Sequence, residues 1–253
     1  MIIDNDTQKF IDLMLENKIP KIYNLSPTEL RAMRAKMASI PPEHLVKIRN
    51  VRDISFNSKN KKITLRIYKD NVETLITPLI IFFHGGGFVM GDLESHDLLC
   101  RHLCKKTKST LIAVDYRLAP ENKFPSAIED AIDSVNYLFK NSKNLSFNEK
   151  KVVLCGDSAG GNLAFLMSIF AKKKIVPNFV GQILIYPWVD LTMSRPSMSI
   201  KLDGVLVEKK TLLYWAHPRR ARTKTKSCHP KHNHSFEGRR GVQRAFQKTN
   251  ETR

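Results

Sequence analysis

Residues Lys151–Lys174 read KVVLCGDSAGGNLAFLMSIFAKKK, and this stretch decides the fold. Val152-Val153-Leu154 is a short apolar, β-branched run of strand length. Leu163, Leu166, Met167 and Phe170 recur at the spacing of one helix face, and lysines gather at the end of that pattern, where the helix dipole favours cations. Between strand and helix stands Gly156-Asp157-Ser158-Ala159-Gly160, a G-x-S-x-G sequence. In that context it reads as a nucleophile elbow. Its glycines allow a tight turn, the turn raises the Ser158 hydroxyl above the sheet edge, and the helix N-terminus directs the Ala159 N–H at the same point. The plainer reading is a β–α turn whose serine caps the helix.

Working outward, Pro78–Phe83 is apolar throughout and predicts a buried central strand. It runs into His84-Gly85-Gly86-Gly87-Phe88, where glycines let the backbone approach a ligand and offer it free N–H groups. A flexible glycine loop is the bland alternative. Leu111–Val114 and Val180–Ile185 predict two more buried strands, leading into Asp115–Glu121 (DYRLAPE) and Tyr186–Asp190 (YPWVD). Helices are expected over Ser95–Lys106, from a cap at Pro125–Glu129 with Ile128, Ala131, Ile132, Val135, Leu138 and Phe139 on one face, and over Leu206–Trp215. Upstream, Phe10, Ile11, Met14 and Leu15 mark one helix, and the capping box Ser26-Pro27-Thr28-Glu29 opens another that Pro41-Pro42 ends. Val46–Phe56 and Lys61–Lys69 alternate and predict an antiparallel hairpin. Strands alternating with helices imply an α/β fold, a mostly parallel sheet covered on both faces. Sites in such sheets lie beyond the C-terminal strand ends, where the glycine loop, Asp115, Ser158 and Tyr186-Pro187 all fall.

At 253 residues the chain can bury the core of one α/β domain, and its 42% apolar and 26% charged residues are ordinary for a globular protein. No apolar run has the length of a membrane span, the N-terminus lacks a basic secretory n-region, and four cysteines do not form a disulfide framework. A soluble, cytoplasmic protein with reduced thiols is expected. Net charge is +18, but residues 217–253 hold 11 Lys and Arg against 2 Glu, half of the excess.

His84-Gly85-Gly86-Gly87, DYRLAPE, Phe124-Pro125, Gly156–Asn162 (GDSAGGN) and YPWVD together resemble the hormone-sensitive-lipase-like branch of the α/β-hydrolases, which includes bacterial acetyl esterases and carboxylesterases. The resemblance covers roughly residues 45–216. It implies an α/β-hydrolase core at 45–216 behind an N-terminal helical cap at 1–44. It also implies hydrolysis of small acyl esters without cofactor or metal. Ser158 would be the nucleophile, the backbone N–H groups of Gly85, Gly86, Gly87 and Ala159 the oxyanion hole, and His84 a support for the loop. Preorganised N–H donors stabilise the charge that develops on the ester carbonyl oxygen.

The branch places its acid and its histidine after the nucleophile, in D-P-x-x-D-type and H-G-F-type motifs that do not occur here. Asp190 and Asp203 are the only later aspartates, and His217, His229, His232 and His234 all lie in the basic segment. Residues 217–253 lack apolar periodicity and read as a disordered tail, so a truncated or frameshifted chain without its C-terminal strands is expected. Val180–Ile185 would then be an apolar sheet edge, and the chain poorly soluble, as size-exclusion chromatography would reveal. A chain with the fold but little catalysis is the second reading. Binding of an anionic polymer through the tail is the third, with nucleic acid an unfavoured partner. His96, Cys100 and Cys104 share a helix face, but buried apolar thiols are the commoner case, and Cys228–His234 is at most a loose metal-binding tract.

Overall fold

The computed structural model describes residues 4–192 apart from 19, 39, 40, 42, 43, 60 and 73–75, together with 196. Its strands are β1 (Asn50–Ser58), β2 (Lys61–Lys69), β3 (Thr77–Phe83), β4 (Thr110–Asp115), β5 (Phe147–Asp157) and β6 (Gly181–Ile185). Its helices are α1 (Asn5–Glu16), α2 (Pro27–Ala38), α3 (Asp97–Thr107), α4 (Ser126–Lys140) and α5 (Ser158–Lys172). The expected Leu206 helix and the tail lie outside the described residues, as do Asp203 and the histidines from His217 onward.

The six strands form one sheet in the order β1-β2-β4-β3-β5-β6. β1 and β2 pair antiparallel and β2 joins β4 antiparallel, while β4, β3, β5 and β6 run parallel. Along β3 the side chains alternate between two packed faces, which is why the run is apolar without interruption. Ile80 and Phe82 meet Leu111, Ala113, Cys100 and Cys104 on the α3 side. From β3 the chain crosses to β4, and from β4 it crosses back beyond β3 to β5. Right-handed crossovers therefore place α3 on one face and α4 and α5 on the other. The direction of winding reverses between β3 and β5, and the crevice at their C-terminal ends is the switch point where such sheets hold ligands.

The capping box forms as read: the Ser26 N–H donates to Glu29 Oε2 at 2.7 Å and the Glu29 N–H to Ser26 Oγ at 3.3 Å. At α4 the expectation fails, because Pro125 is the N-cap residue and makes no side-chain cap bond, leaving Ser126 as the first helical residue. An ion cluster ties α4 to the hairpin and to the DYRLAPE turn instead. Buried Asp130 accepts from the Arg117 N–H at 2.9 Å, from the Arg117 guanidinium at 2.9 Å and from Lys61.

β6 is not the buried strand that its composition predicts. Among the described residues it pairs with β5 alone, and Val180, Ile183 and Tyr186 are 65%, 41% and 73% exposed. An interior strand needs neighbours on both sides; among the described residues β6 has one and is an apolar edge, the feature that favours self-association.

Candidate active site

The elbow forms where β5 meets α5. Ser158 is the first residue of α5 and adopts φ 51°, a left-handed conformation that costs a non-glycine residue of order 1–3 kcal/mol and is held here by its surroundings. The strain therefore sits on the serine. The sequence reading assigned the turn to the glycines, but neither Gly156 nor Gly160 has positive φ. They are required by close packing: a Cβ on Gly160 would stand 2.0 Å from the Phe83 carbonyl oxygen, and one on Gly156 2.4 Å from Gly160 backbone atoms. Glycine here lets the start of α5 touch the end of β3. Ser158 is half-buried and Ala159 fully buried. Among the described residues no side chain is hydrogen-bonded to the Ser158 hydroxyl.

Across the crevice, the glycine loop leaves β3 with Gly86 at φ 117° and Gly87 at φ 63°, values that favour glycine. The Met90 N–H donates to the Gly86 carbonyl at 3.0 Å and closes the turn. His84 is 2% exposed and stacks on Tyr116 with ring centroids 4.2 Å apart. Its Nδ1 faces the Gly85 carbonyl at 2.8 Å, so Nδ1 is the protonated nitrogen. The Tyr116 hydroxyl donates to the His84 carbonyl at 2.6 Å.

Burial, and then the neighbouring His96, lower the His84 pKa to about 4. The imidazole is neutral at pH 7 and keeps its contact with the Gly85 carbonyl without carrying charge. Because the unfolded chain takes up this proton first, the associated stability is fully present above the ordinary value of 6.5 and is lost as pH falls toward 4. Thermal melts stepped across that window should lose about 3 kcal/mol from this group, and His84→Gln should flatten the slope there.

Asp157, the residue before the serine, was not singled out in the sequence, yet it connects the two halves of the site. Its Oδ1 accepts from the Gly85 N–H at 2.8 Å and lies 3.4 Å from His96 Nε2. Burial acts to raise its pKa, but the bond and charge of His96 and the Gly85 N–H outweigh it and hold the carboxyl below its usual value. His96 thus points at a carboxylate, while Cys100 and Cys104 sit in the core, where burial pushes the Cys104 thiol up to about 11. Among the described residues no three His, Cys, Asp or Glu side chains gather as a metal site.

The Tyr186–Asp190 segment closes the crevice from the β6 side. The Trp188 N–H donates to the Ser158 carbonyl at 3.0 Å, and Asn162 Nδ2 to the Trp188 carbonyl at 2.8 Å. Asp190 is occupied locally, accepting from the Thr192 N–H at 2.9 Å. From above, α2 lies over the loops. Arg31 donates to the Val89 carbonyl at 2.8 Å and the Ala119 carbonyl at 2.9 Å, and pairs with Glu121 at 2.8 Å. Leu30 packs with Val89, Met90 and Ala119. A cavity of about 360 Å³ beside α2 is lined by Arg34, Asp92, Asp115 and Tyr116, and Ser158 is not among its lining residues.

Comparison with known proteins adds to this geometry. The family described as alpha/beta hydrolase fold matches residues 80–246, past Ala216, where the motifs read in the sequence end. The carboxylic ester hydrolase LipN of Mycobacterium tuberculosis is 34% identical over 231 residues, covering 86% of this chain and 60% of LipN. The ethyl acetate hydrolase of Pseudomonas putida is 33% identical over 167 residues, 64% of this chain and 52% of that protein. A hyperthermophilic esterase structure from Pyrobaculum calidifontis superposes with a TM-score of 0.76 at 30% identity, covering 86% of this chain and 70% of that one. The chain therefore spans little more than half the length of these two curated relatives. No described helix is long and apolar enough to cross a membrane.

Proposed function

Because the chain belongs to the α/β-hydrolase fold family, we propose that it is a carboxylic ester hydrolase acting on small acyl esters through Ser158. The observation that carries this reading is the strained φ of 51° at Ser158, at a switch-point crevice faced by a glycine loop. In the reaction, the Ser158 hydroxyl adds to the ester carbonyl, the alcohol leaves with a proton, and water releases the acid from the acyl-serine. The backbone N–H groups of Gly86, Gly87 and Ala159 form the oxyanion hole and His84 supports the loop; the Gly85 N–H, also expected there from the sequence, is instead taken by Asp157 Oδ1 at 2.8 Å. α1 and α2, with the rest of residues 1–44, act as the cap that shapes the acyl pocket. The relatives named for carboxylic esters and ethyl acetate support small acyl substrates. Buried thiols at Cys100, Cys104 and Cys155 suit the reducing cytoplasm.

The test is to react the 253-residue chain with p-nitrophenyl acetate, quench in acid and map the acetyl group by peptide mass. Acetyl on the peptide holding Ser158 is expected. Turnover with the label elsewhere, or with none on Ser158, would overturn the assignment. A second reading, an esterase core of low activity, is favoured by the absence of a hydrogen-bonded base at the Ser158 hydroxyl among the described residues. It predicts a slow acetylation that stops after one equivalent. The third reading, anionic-polymer binding, concerns residues 217–253, and retention on heparin lost with that segment is its test.

A further inference from the structure

Asp157 stands next to the nucleophile, is only 6% exposed, and has no part in the chemistry proposed for Ser158. A carboxylate in such a place is costly unless it is paired and hydrogen-bonded. Both of its oxygens face residues from other parts of the chain. Oδ1 takes the Gly85 N–H at 2.8 Å, from a residue 72 positions earlier in the chain. Oδ2 lies 3.5 Å from the Tyr186 hydroxyl. A Cβ on Gly85 would fall 2.2 Å from Oδ2, so glycine is required there for the carboxylate to reach the loop at all. His96, 6% exposed at the start of α3, places Nε2 3.4 Å from Oδ1, while its Nδ1 is engaged at 3.0 Å by Ser95 Oγ. A carboxylate accepts and does not donate, so this contact is favourable when Nε2 carries a proton.

These contacts make a short mechanical chain. The backbone of Asp157 continues directly into Ser158, and its side chain grips the first glycine of the loop. The distance from nucleophile to loop is thus fixed by one side chain with two torsions, clamped from the far side by His96. We propose that Asp157, held by His96, is a positioning residue that sets the glycine loop against Ser158. This rests on the esterase reading for its consequence, since the loop's N–H groups must meet the ester oxygen. The latch itself is a statement about the fold. A misplacement of about 1 Å at such a site costs about 100-fold in rate.

The experiment compares Asp157→Ala, Asp157→Asn, His96→Phe and, as a control of stability alone, Leu138→Ala, a buried residue of α4. Amide hydrogen exchange at Gly85 reads the latch, and kcat and KM for p-nitrophenyl acetate read its consequence, all on the full chain. In Asp157→Ala, Gly85 exchange should accelerate at least about tenfold relative to the amides of β3. Its kcat should fall about 100-fold with KM within about threefold. Asp157→Asn keeps an oxygen acceptor for Gly85 and should retain the protection and stay within about tenfold of the parent kcat. His96→Phe, which leaves the carboxylate without its donor, should lie between the two. The proposal is overturned if Gly85 exchange is unchanged in Asp157→Ala. It is equally overturned if exchange accelerates while kcat holds, or if Leu138→Ala with a similar fall in melting temperature loses as much kcat. Should the parent chain show no Ser158-dependent turnover, the esterase reading fails instead, and Gly85 exchange alone decides the latch.

Discussion

Ser158→Ala should lower p-nitrophenyl acetate hydrolysis at least about 10³-fold, with the melting temperature almost unchanged. Removing the nucleophile of a complete serine triad costs about 10⁶ in kcat, and what survives comes from the oxyanion hole and binding. The lower figure is set as a floor above the cost of losing one oxyanion donor, about 10²–10³. Stability should barely move, because among the described residues no side chain is hydrogen-bonded to that hydroxyl. The lost hydroxyl leaves no buried partner unsatisfied, and alanine at φ 51° bears the same backbone strain as serine. A change under about 0.5 kcal/mol is the expectation for such a site. Separation of activity from stability is the diagnostic point. A large loss of both would mean that Ser158 is structural, the helix-capping alternative, and an unchanged rate would remove it from the mechanism.

Gly160→Ala should do the opposite, destabilising the chain by about 3 kcal/mol and lowering the melting temperature by about 10 °C. The new methyl would lie 2.0 Å from the Phe83 carbonyl oxygen and 2.5 Å from that of His84. Both are backbone atoms at the end of the central strand, so no side chain can rotate away. Relief requires α5 to retreat from β3, which also opens the gap between Ser158 and the glycine loop. Gly181→Ala is the matched control. A Cβ there meets nothing within 4 Å, and a strand position accepts alanine, so the melt should be unchanged. If Gly160→Ala melts like the parent, the close contact between helix and strand is not a constraint.

The elements and their order could be read from the sequence because each has a local cause. Period-2 and period-3.6 apolar spacing, the Ser26–Glu29 capping box and the glycine run after Phe83 all act over a few residues. The resemblance to the hormone-sensitive-lipase-like branch rests on segments that the structure gathers around one crevice. Ser158, Ala159 and the Gly85–Gly87 loop meet there because strand-end positions converge in any sheet wound this way. The α4 cap was misread because Pro125-Ser126 resembles a cap in composition, while the hydrogen bond that defines one is absent. The composition of β6 marks it for burial, and the lack of recognisable later strands in the sequence marks it as an apolar edge; the exposure of Val180 and Ile183 agrees with the second.

Taken alone, then, the sequence determined an α/β chain with Ser158 on a strand-to-helix turn and a glycine loop at the next strand end. Only the tertiary structure decided why those glycines are glycines, where the strain lies, and what Asp157 and His96 contact. Gly160 is set by the Phe83 carbonyl, and Asp157 by the N–H of Gly85, 72 positions away. Local spacing records the conformation a segment prefers. It carries no record of which distant backbone atom will stand 2–3 Å away once the sheet has closed, and at this site that proximity sets the packing around Ser158.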